Sequence, residues 1–207
     1  NGDPTTPTNW WTATNGTGSH PANFTTPGDV FIIQSGQTLT TNGDWTIGAG
    51  VTLQIDGALI IAKKDDVVIS GTLYVTNASS TQVSLIGGPG ANTSTITING
   101  TLKTKNTQGV SGSNCSLPAS DPQKVVTLNS TANYEFAGTA NQSTLGMPAV
   151  VNSLTLNNTV GSGNNAITLA QSTTVNGTVN FQNGILLTSA NVLTISATGS
   201  VSGASDA

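Results

Sequence analysis

The chain contains no arginine and has little charge of either sign. Its 207 residues include five lysines and nine acidic residues, so only 7% are charged and the net charge is −4. An average soluble domain has roughly 25% charged residues. Binding to nucleic acid requires clustered cationic side chains that neutralise phosphates. The composition therefore excludes nucleic acid as a partner.

Cysteine, histidine and glutamate each occur once, as Cys115, His20 and Glu135. A single cysteine cannot form an intrachain disulfide. One histidine without a nearby cysteine cannot build a metal site of the usual composition. Glu135 lies between Tyr134 and Phe136, and alternation places it on the surface if the two rings pack inward. We therefore predict no metal site and no cofactor.

Clustered carboxylates, which a glycan-active β-helix enzyme would need, are scarce. Asp65 and Asp66 directly follow Lys63 and Lys64 and are the nearest approach to a catalytic pair. Neighbouring residues of a strand point to opposite faces, and a solvated charged turn explains the four residues as well. The sequence therefore predicts no catalytic residues and a protein that is not an enzyme.

Long apolar runs are also missing. The longest strongly apolar run, residues 58–62, is far shorter than the roughly 20 residues of a membrane-spanning helix. We therefore predict no membrane span. The chain opens on a Pro/Thr-rich stretch without a basic and then apolar leader, as expected if a signal peptide has been removed. This indicates an extracellular protein.

Polarity comes instead from 35 Thr, 21 Ser and 22 Asn, and one phrase recurs among them. "ITINGTL" (residues 96–102) resembles "LQIDGAL" (53–59), "VVISGTL" (67–73) and "TTVNGTV" (173–179). In the first copy Ile96 and Ile98 share one face of a strand. The following Asn-Gly supplies a sharp turn with positive φ, and the next leucine returns to the core.

Glycine spacing supports a structural repeat. The interval from Gly36 to Gly57 is the same as the interval from Gly50 to Gly71. A shorter interval also recurs, from Gly43 to Gly57 and from Gly57 to Gly71. A coil of roughly 20 residues with more than one short strand produces such overlapping spacings. We therefore predict an all-β fold, a parallel β-helix (β-solenoid).

A β-sandwich stays open as the alternative fold. Asn-Gly between alternating strands is also a hairpin signal, and evenly spaced short strands are found in sandwiches as well.

The chain divides into four predicted segments. Residues 1–27 form an irregular N-terminal cap segment, and residues 28–102 form a first β-solenoid block. Residues 103–124 are polar, contain two prolines and form a mid-chain loop or joint. Residues 125–207 form a second block, which ends without an obvious cap.

Aromatic residues make up only 4% of the chain, but Trp10 and Trp11 are adjacent and Trp45 follows in the first block. These three rings are the candidates for stacking on sugars, so they are the predicted ligand-binding residues. The alternative is that the aromatic side chains fill the cap and the core.

Two stretches resemble large secreted surface proteins of Bacteroidota. A Trp-rich opening leads to "PGDVFIIQSGQTL", which approximates the line P-x-D-x-V-x-I-x-x-G-x-T-L of those proteins through Pro27, Asp29, Val30, Ile32, Ile33, Gly36, Thr38 and Leu39. The later "NYEFAGTANQS" and "NSLTLNN" are similar to their repeat modules. The resemblance implies export by the type IX system and an adhesin, fibre or stalk, although we do not expect the C-terminal sorting domain of that class within these 207 residues.

From these observations we expect an extracellular structural β-solenoid on the cell surface, an adhesin stalk or a fibre-forming subunit. A carbohydrate-binding module of a secreted protein is the alternative. The expected partners are another copy stacked end to end or further domains of a larger surface protein. Surface glycans and, during export, the secretion machinery are the other expected partners.

Overall fold

The computed structural model describes residues 2–13, 15–88, 92–159 and 166–203. Within these ranges the regular structure consists of one short 3-10 helix, Pro7–Asn9, and 21 strands. The strands are β1 (Val30–Ile33), β2 (Thr38–Thr40), β3 (Trp45–Ile47), β4 (Thr52–Ile55), β5 (Ala58–Ile61), β6 (Asp66–Ile69), β7 (Thr72–Val75), β8 (Val83–Leu85), β9 (Ser94–Ile98), β10 (Thr101–Thr104), β11 (Lys124–Leu128), β12 (Asn133–Phe136), β13 (Gln142–Ser143), β14 (Val150–Val151), β15 (Ser153–Asn157), β16 (Ala166–Thr168), β17 (Thr173–Val175), β18 (Thr178–Asn183), β19 (Ile185–Leu187), β20 (Leu193–Ile195) and β21 (Ser200–Ser202).

The strands form five sheets. The largest contains eight strands in the order β1-β4-β7-β10-β12-β15-β18-β21. The others are β3-β6-β9-β11, β2-β5-β8, β13-β16-β19 and β14-β17-β20. Each pairing between these strands is parallel. The prediction of an all-β fold is confirmed, and its parallel sheets are compatible with a β-solenoid.

The chain visits the sheets in turn and returns to the eight-stranded sheet after each circuit. We define a circuit as the stretch from one strand of this sheet to the next along the chain. Thr52 pairs with Thr72, Thr72 pairs with Thr101, and Thr101 pairs with Asn133, so these three circuits become progressively longer. The expected repeat of roughly 20 residues therefore matches only the shortest circuits, because loops lengthen the others.

Side chains stack in register through the core. One inward row of the eight-stranded sheet consists of buried residues in seven successive circuits: Phe31, Leu53, Leu73, Leu102, Tyr134, Leu154 and Val179. Ile96 and Ile98 are buried on a neighbouring sheet, as predicted from alternation. Burying each large aliphatic side chain stabilises the fold by about 2 kcal/mol. Glu135 faces outward between buried Tyr134 and Phe136, also as predicted.

The glycine within each copy of the recurring phrase serves close approach and not positive φ. Gly100 does not adopt the left-handed conformation, so that prediction is wrong. A Cβ at this position would instead come within 3.0 Å of the carbonyl oxygens of Ser70 and Gly71. The N–H groups of Asn99 and Gly100 both donate to the carbonyl oxygen of Ile69, each at 2.9 Å. The corner thus requires glycine because two circuits meet there backbone to backbone.

The same corner also shows that the hairpin interpretation of Asn-Gly is wrong at this site. Asn99 and Gly100 connect β9 to β10, and these two strands belong to different sheets. In a hairpin the two strands would be adjacent and antiparallel. The turn therefore sends the chain around a corner between two sheets.

The segment between β10 and β11 also contributes to the core. Val110, Cys115 and Leu117 are buried, and Ser111 forms a parallel bridge with Leu117. Burial raises the pKa of the Cys115 thiol. This cysteine is therefore held as a neutral, apolar side chain.

Buried amide side chains bridge circuits of unequal length. Gln142 is buried, and its Oε1 accepts a hydrogen bond from the N–H of Gly138 at 2.8 Å. Its Nε2 donates to the carbonyl oxygens of Thr104 at 3.2 Å and Asn106 at 3.1 Å. These bonds satisfy the Gly138 N–H and the Asn106 carbonyl oxygen, which lie outside the strands. They also give a second donor to the Thr104 carbonyl oxygen, which accepts from the N–H of Ala137 at 2.8 Å.

Candidate ligand-binding groove

The three candidate tryptophans do not share one surface. Trp10 and Trp45 are buried above the first circuit together with Phe24 and Phe31. The Trp10 ring lies 5.3 Å from Phe31 and 6.0 Å from Trp45, centroid to centroid. Trp10 Nε1 donates to the carbonyl oxygen of Pro4 at 2.9 Å. These two tryptophans are therefore core residues and not exposed stacking platforms.

Trp11 is the one of the three that reaches solvent, with 47% of its surface exposed. Its ring lies 4.1 Å from the imidazole of His20, centroid to centroid. His20 Nδ1 donates in turn to the carbonyl oxygen of Trp10 at 2.6 Å. The Trp11 ring is therefore supported on one side by a histidine whose own position is set by the backbone.

Trp11 stands at a groove between residues 2–13 and strand β1. The groove has a volume of about 700 Å³, within the range of small-molecule sites. Its lining combines apolar and polar side chains: Pro4, Trp10, Trp11, Pro21, Val30, Phe31, Ile32, Ile33 and Leu39 with Asp3, Asn9, Thr12, Asp29, Gln34 and Gln37. Lysine is missing from the described lining residues, whose formal charges are the two carboxylates.

The two carboxylates of the groove differ in their surroundings. Burial opposes the ionisation of Asp3, but hydrogen bonds from the backbone and hydroxyl of Thr5 and from Thr6 outweigh it and lower the pKa of Asp3. Asp3 thereby fixes the N-terminal turn. The half-buried Asp29 carboxylate has no hydrogen-bonding or ionic partner in the described part of the chain. Asp29 is thus free to accept hydrogen bonds from a ligand.

Asp65 and Asp66, the carboxylates considered for catalysis, serve as hydrogen-bond acceptors at a corner. Buried Asp65 accepts hydrogen bonds from the Thr41 hydroxyl at 2.5 Å and the Gly43 N–H at 3.0 Å. Asp66 accepts one from the Thr95 hydroxyl at 2.6 Å. Both carboxylates therefore join one circuit to another.

Groups of three or more His, Cys, Asp or Glu side chains able to hold a metal ion do not occur among the described residues. No helix in those ranges has the length and apolar character needed to cross a membrane. Both findings concern only the part of the chain that the structure describes.

The two ends of the described sheets differ in their exposure to solvent. Aromatic side chains cover the first circuit, whereas apolar side chains of the last circuit are exposed. β19, β20 and β21 each pair with one neighbouring strand, so their other edges are open within the described ranges. Ile185 and Val201 are about half exposed, at 55% and 48%. Leu187 and Ile195 are exposed as well. Ile195 and Val201 continue the rows of buried Val175 and Val179, so these two rows meet solvent at this end.

No protein-family model matches the chain, and no curated protein or solved structure matches it. Its function must therefore be inferred from its own residues and their geometry.

Sequence reasoning missed Asp29 and Gln37 as groove residues. Asp29 drew attention only as part of the stretch that resembles surface proteins. The different positions of Trp10 and Trp11 follow from strand geometry, because adjacent residues in extended backbone point to opposite sides. Trp10 is extended, with φ −108° and ψ 150°. The burial of Trp45 follows alternation with Ile47 along β3.

Proposed function

We propose that the chain is a parallel β-solenoid that serves as an extracellular rod, either an adhesin stalk or a fibre-forming subunit. The observation that supports this best is the eight-stranded parallel sheet with buried side chains stacked in register through successive circuits. In this arrangement each circuit covers the apolar face of the next, and length grows by repetition. Eight strands spaced by about 4.8 Å give a rod of roughly 34 Å.

The outer surface is consistent with a structural role. Asparagine side chains on successive circuits bond to one another: Asn129 Nδ2 donates to Asn99 Oδ1 at 2.6 Å, and Asn152 Nδ2 donates to Asn133 Oδ1 at 2.7 Å. Such ladders stiffen the rod from outside with uncharged groups. An extracellular setting and export by the type IX system are supported by the sequence resemblance.

Electron microscopy of the purified chain at several concentrations, with its elution volume, tests the proposal. Filaments whose axial repeat matches one chain identify a fibre subunit. Separate short rods at every concentration identify a stalk. Compact, isotropic particles would contradict both forms of the proposal.

A carbohydrate-binding module is the second candidate, because Trp11 presents an exposed ring beside the groove. Aromatic rings stack on the apolar faces of sugars, and neighbouring amides and carboxylates bond to their hydroxyls. Retention of the chain on immobilised glycans tests this function. Loss of retention in Trp11→Ala, but not in a variant on a distant surface, is the expected result.

A further inference from the structure

We infer that the groove between residues 2–13 and strand β1 binds a neutral, hydroxyl-rich glycan, with Trp11 as the stacking platform and Asp29 as the main charged acceptor. This inference rests on the carbohydrate-binding candidate and specifies its site and its class of ligand. It is independent of whether the chain forms a stalk or a fibre.

The Trp11 ring is preorganised for stacking. It packs against His20, and His20 is tied to the backbone at Trp10. A ring that is already oriented loses little conformational entropy when a ligand covers its exposed face. The ring therefore provides a planar apolar surface at the wall of a groove that is otherwise partly polar.

The backbone of Asp29 is also fixed in place before a ligand binds. Its N–H donates to the carbonyl oxygen of Thr26 at 3.2 Å, and its own carbonyl oxygen accepts from the N–H of Thr52 at 2.9 Å. The backbone is thus bound on both sides, while the carboxylate has no partner among the described residues. Hydrogen bonds from sugar hydroxyls to a carboxylate are charge-assisted and stronger than those to a neutral acceptor.

Strand β1 adds backbone groups to the floor of the groove. Asp29 and Ile33 direct their carbonyl groups toward the β4 side, where they accept from Thr52 in β4 and from Asp56 directly after it. Because alternate residues of a parallel strand face alternate edges, the peptide groups of Val30 and Ile32 face the open edge. Further donors and acceptors for hydroxyl groups therefore line the same groove.

The charge of the groove selects the class of glycan. Asp3 and Asp29 are its formal charges, and the lining residues include no lysine. A polyuronate or a sulfated glycan would bring its anions against two carboxylates, with no lysine among the described lining residues to compensate them. The groove therefore favours a neutral glycan over an anionic one.

An extended peptide added to the edge of β1 is the competing occupant. This strand has four residues, and only Val30 and Ile32 face the open edge, which limits the hydrogen-bond ladder that a peptide would gain. The exposed Trp11 ring and the unpartnered Asp29 carboxylate are also better suited to stacking and to hydroxyl groups. The glycan is therefore the favoured occupant.

Affinity electrophoresis of the full chain tests the inference. The neutral probes are mixed-linkage β-glucan, xyloglucan, galactomannan and soluble starch, and the anionic probes are polygalacturonate and alginate. We expect retardation by at least one neutral probe and none by the anionic probes. Trp11→Ala should weaken the interaction roughly tenfold or more, as for other central aromatic anchors. Asp29→Asn should weaken it several-fold.

Tyr74→Ala is the control variant, because Tyr74 lies on the outer face of the eight-stranded sheet and does not line the groove. It should leave the retardation unchanged, and circular dichroism should show that all three variants fold. Retardation unchanged by Trp11→Ala, equal retardation by anionic probes, or no retardation by any neutral probe would overturn the inference. Binding of extended peptides without glycan binding, abolished by Ile32→Pro, would establish the competing occupant.

If the groove does not bind a neutral glycan, the rod proposal is unaffected, because particle shape in the microscope does not depend on Trp11. This failure is also distinguishable from failure of the carbohydrate-binding function in general. Glycan retention that survives Trp11→Ala would retain that function and place it elsewhere.

Discussion

The α-carbon of Gly100 lies against the carbonyl oxygen of Gly71, one circuit earlier, so closely that a methyl group at residue 100 would come within 3.0 Å of that oxygen. The contact is between two backbones, and neither side chain nor solvent can move aside to relieve it. This relationship explains why the recurring phrase keeps its glycine.

Gly100→Ala should therefore destabilise the protein by about 2 kcal/mol or more, as overpacking does in other cores. Gly36→Ala is the matched control, because Gly36 has φ +78° but open space around the position of a Cβ. Its cost is conformational strain alone, roughly 1 kcal/mol. Urea denaturation measures both variants, and a smaller loss in Gly100→Ala than in Gly36→Ala would contradict the close-approach explanation.

The two adjacent tryptophans should differ sharply in their effect on stability. Trp10→Ala removes a buried ring that contacts Phe24, Phe31 and Trp45, and we expect the free energy of unfolding to fall by about 3–5 kcal/mol. Trp11→Ala removes an exposed ring and should cost less than about 1 kcal/mol. Denaturation followed by circular dichroism checks this, and equal losses would refute the assigned burial.

Gln142→Leu should be costly although it places an apolar residue in a buried position. The substitution leaves the Gly138 N–H and the Asn106 carbonyl oxygen without their partner and removes one of the two donors to the Thr104 carbonyl oxygen, which we expect to cost about 3 kcal/mol in total. Gln182→Leu, at an exposed position, is the control and should change stability by less than about 0.5 kcal/mol. Similar midpoints of urea denaturation for the two variants would show that the buried bridge is dispensable.

Alkaline pH should destabilise the fold through two buried groups. Burial raises the pKa of the Cys115 thiol above its ordinary value of 9.0 and the pKa of the Tyr134 phenol well above its ordinary value of 10.0. The folded chain thus holds both protons more tightly than the unfolded chain. This contribution to stability is fully present below the unfolded pKa values and is lost as the pH rises through the folded ones.

The urea midpoint of the parent should therefore decline from about pH 9 upward, with a steeper decline above about pH 10 when Tyr134 begins to contribute. Tyr134→Phe has no proton to lose at that position, so its decline above about pH 10 should be shallower. A parent midpoint that is constant across this interval would contradict the assignment.

Alternation along the chain was sufficient to predict the inward residues. Ile96, Ile98 and Leu102 are buried as expected, because a strand with one apolar face can satisfy only one orientation. The repeated phrase likewise predicted all-β structure, since its period of two and its glycine spacing are properties of the local chain.

Contacts between distant parts of the chain required the folded structure. Gly100 and Gly71 belong to successive circuits, and local turn chemistry alone suggested positive φ where the cause is the backbone of the preceding circuit. Circuit length was equally inaccessible, because the loops that lengthen the circuits between Thr72 and Asn133 leave the strand register unchanged.

For the candidate site, too, some features were predictable from the sequence and others required the folded structure. Composition alone led to the predictions that the chain is not an enzyme and does not bind nucleic acid. Catalysis and phosphate binding need residue types that are scarce in this sequence. The three tryptophans were found from sequence, and alternation indicates that Trp10 and Trp11 face opposite sides. The packing of residues 2–13 on the first circuit decides that Trp11 is the exposed ring. Exposure depends on what covers a side chain, and in this protein the covering residues come from other parts of the chain.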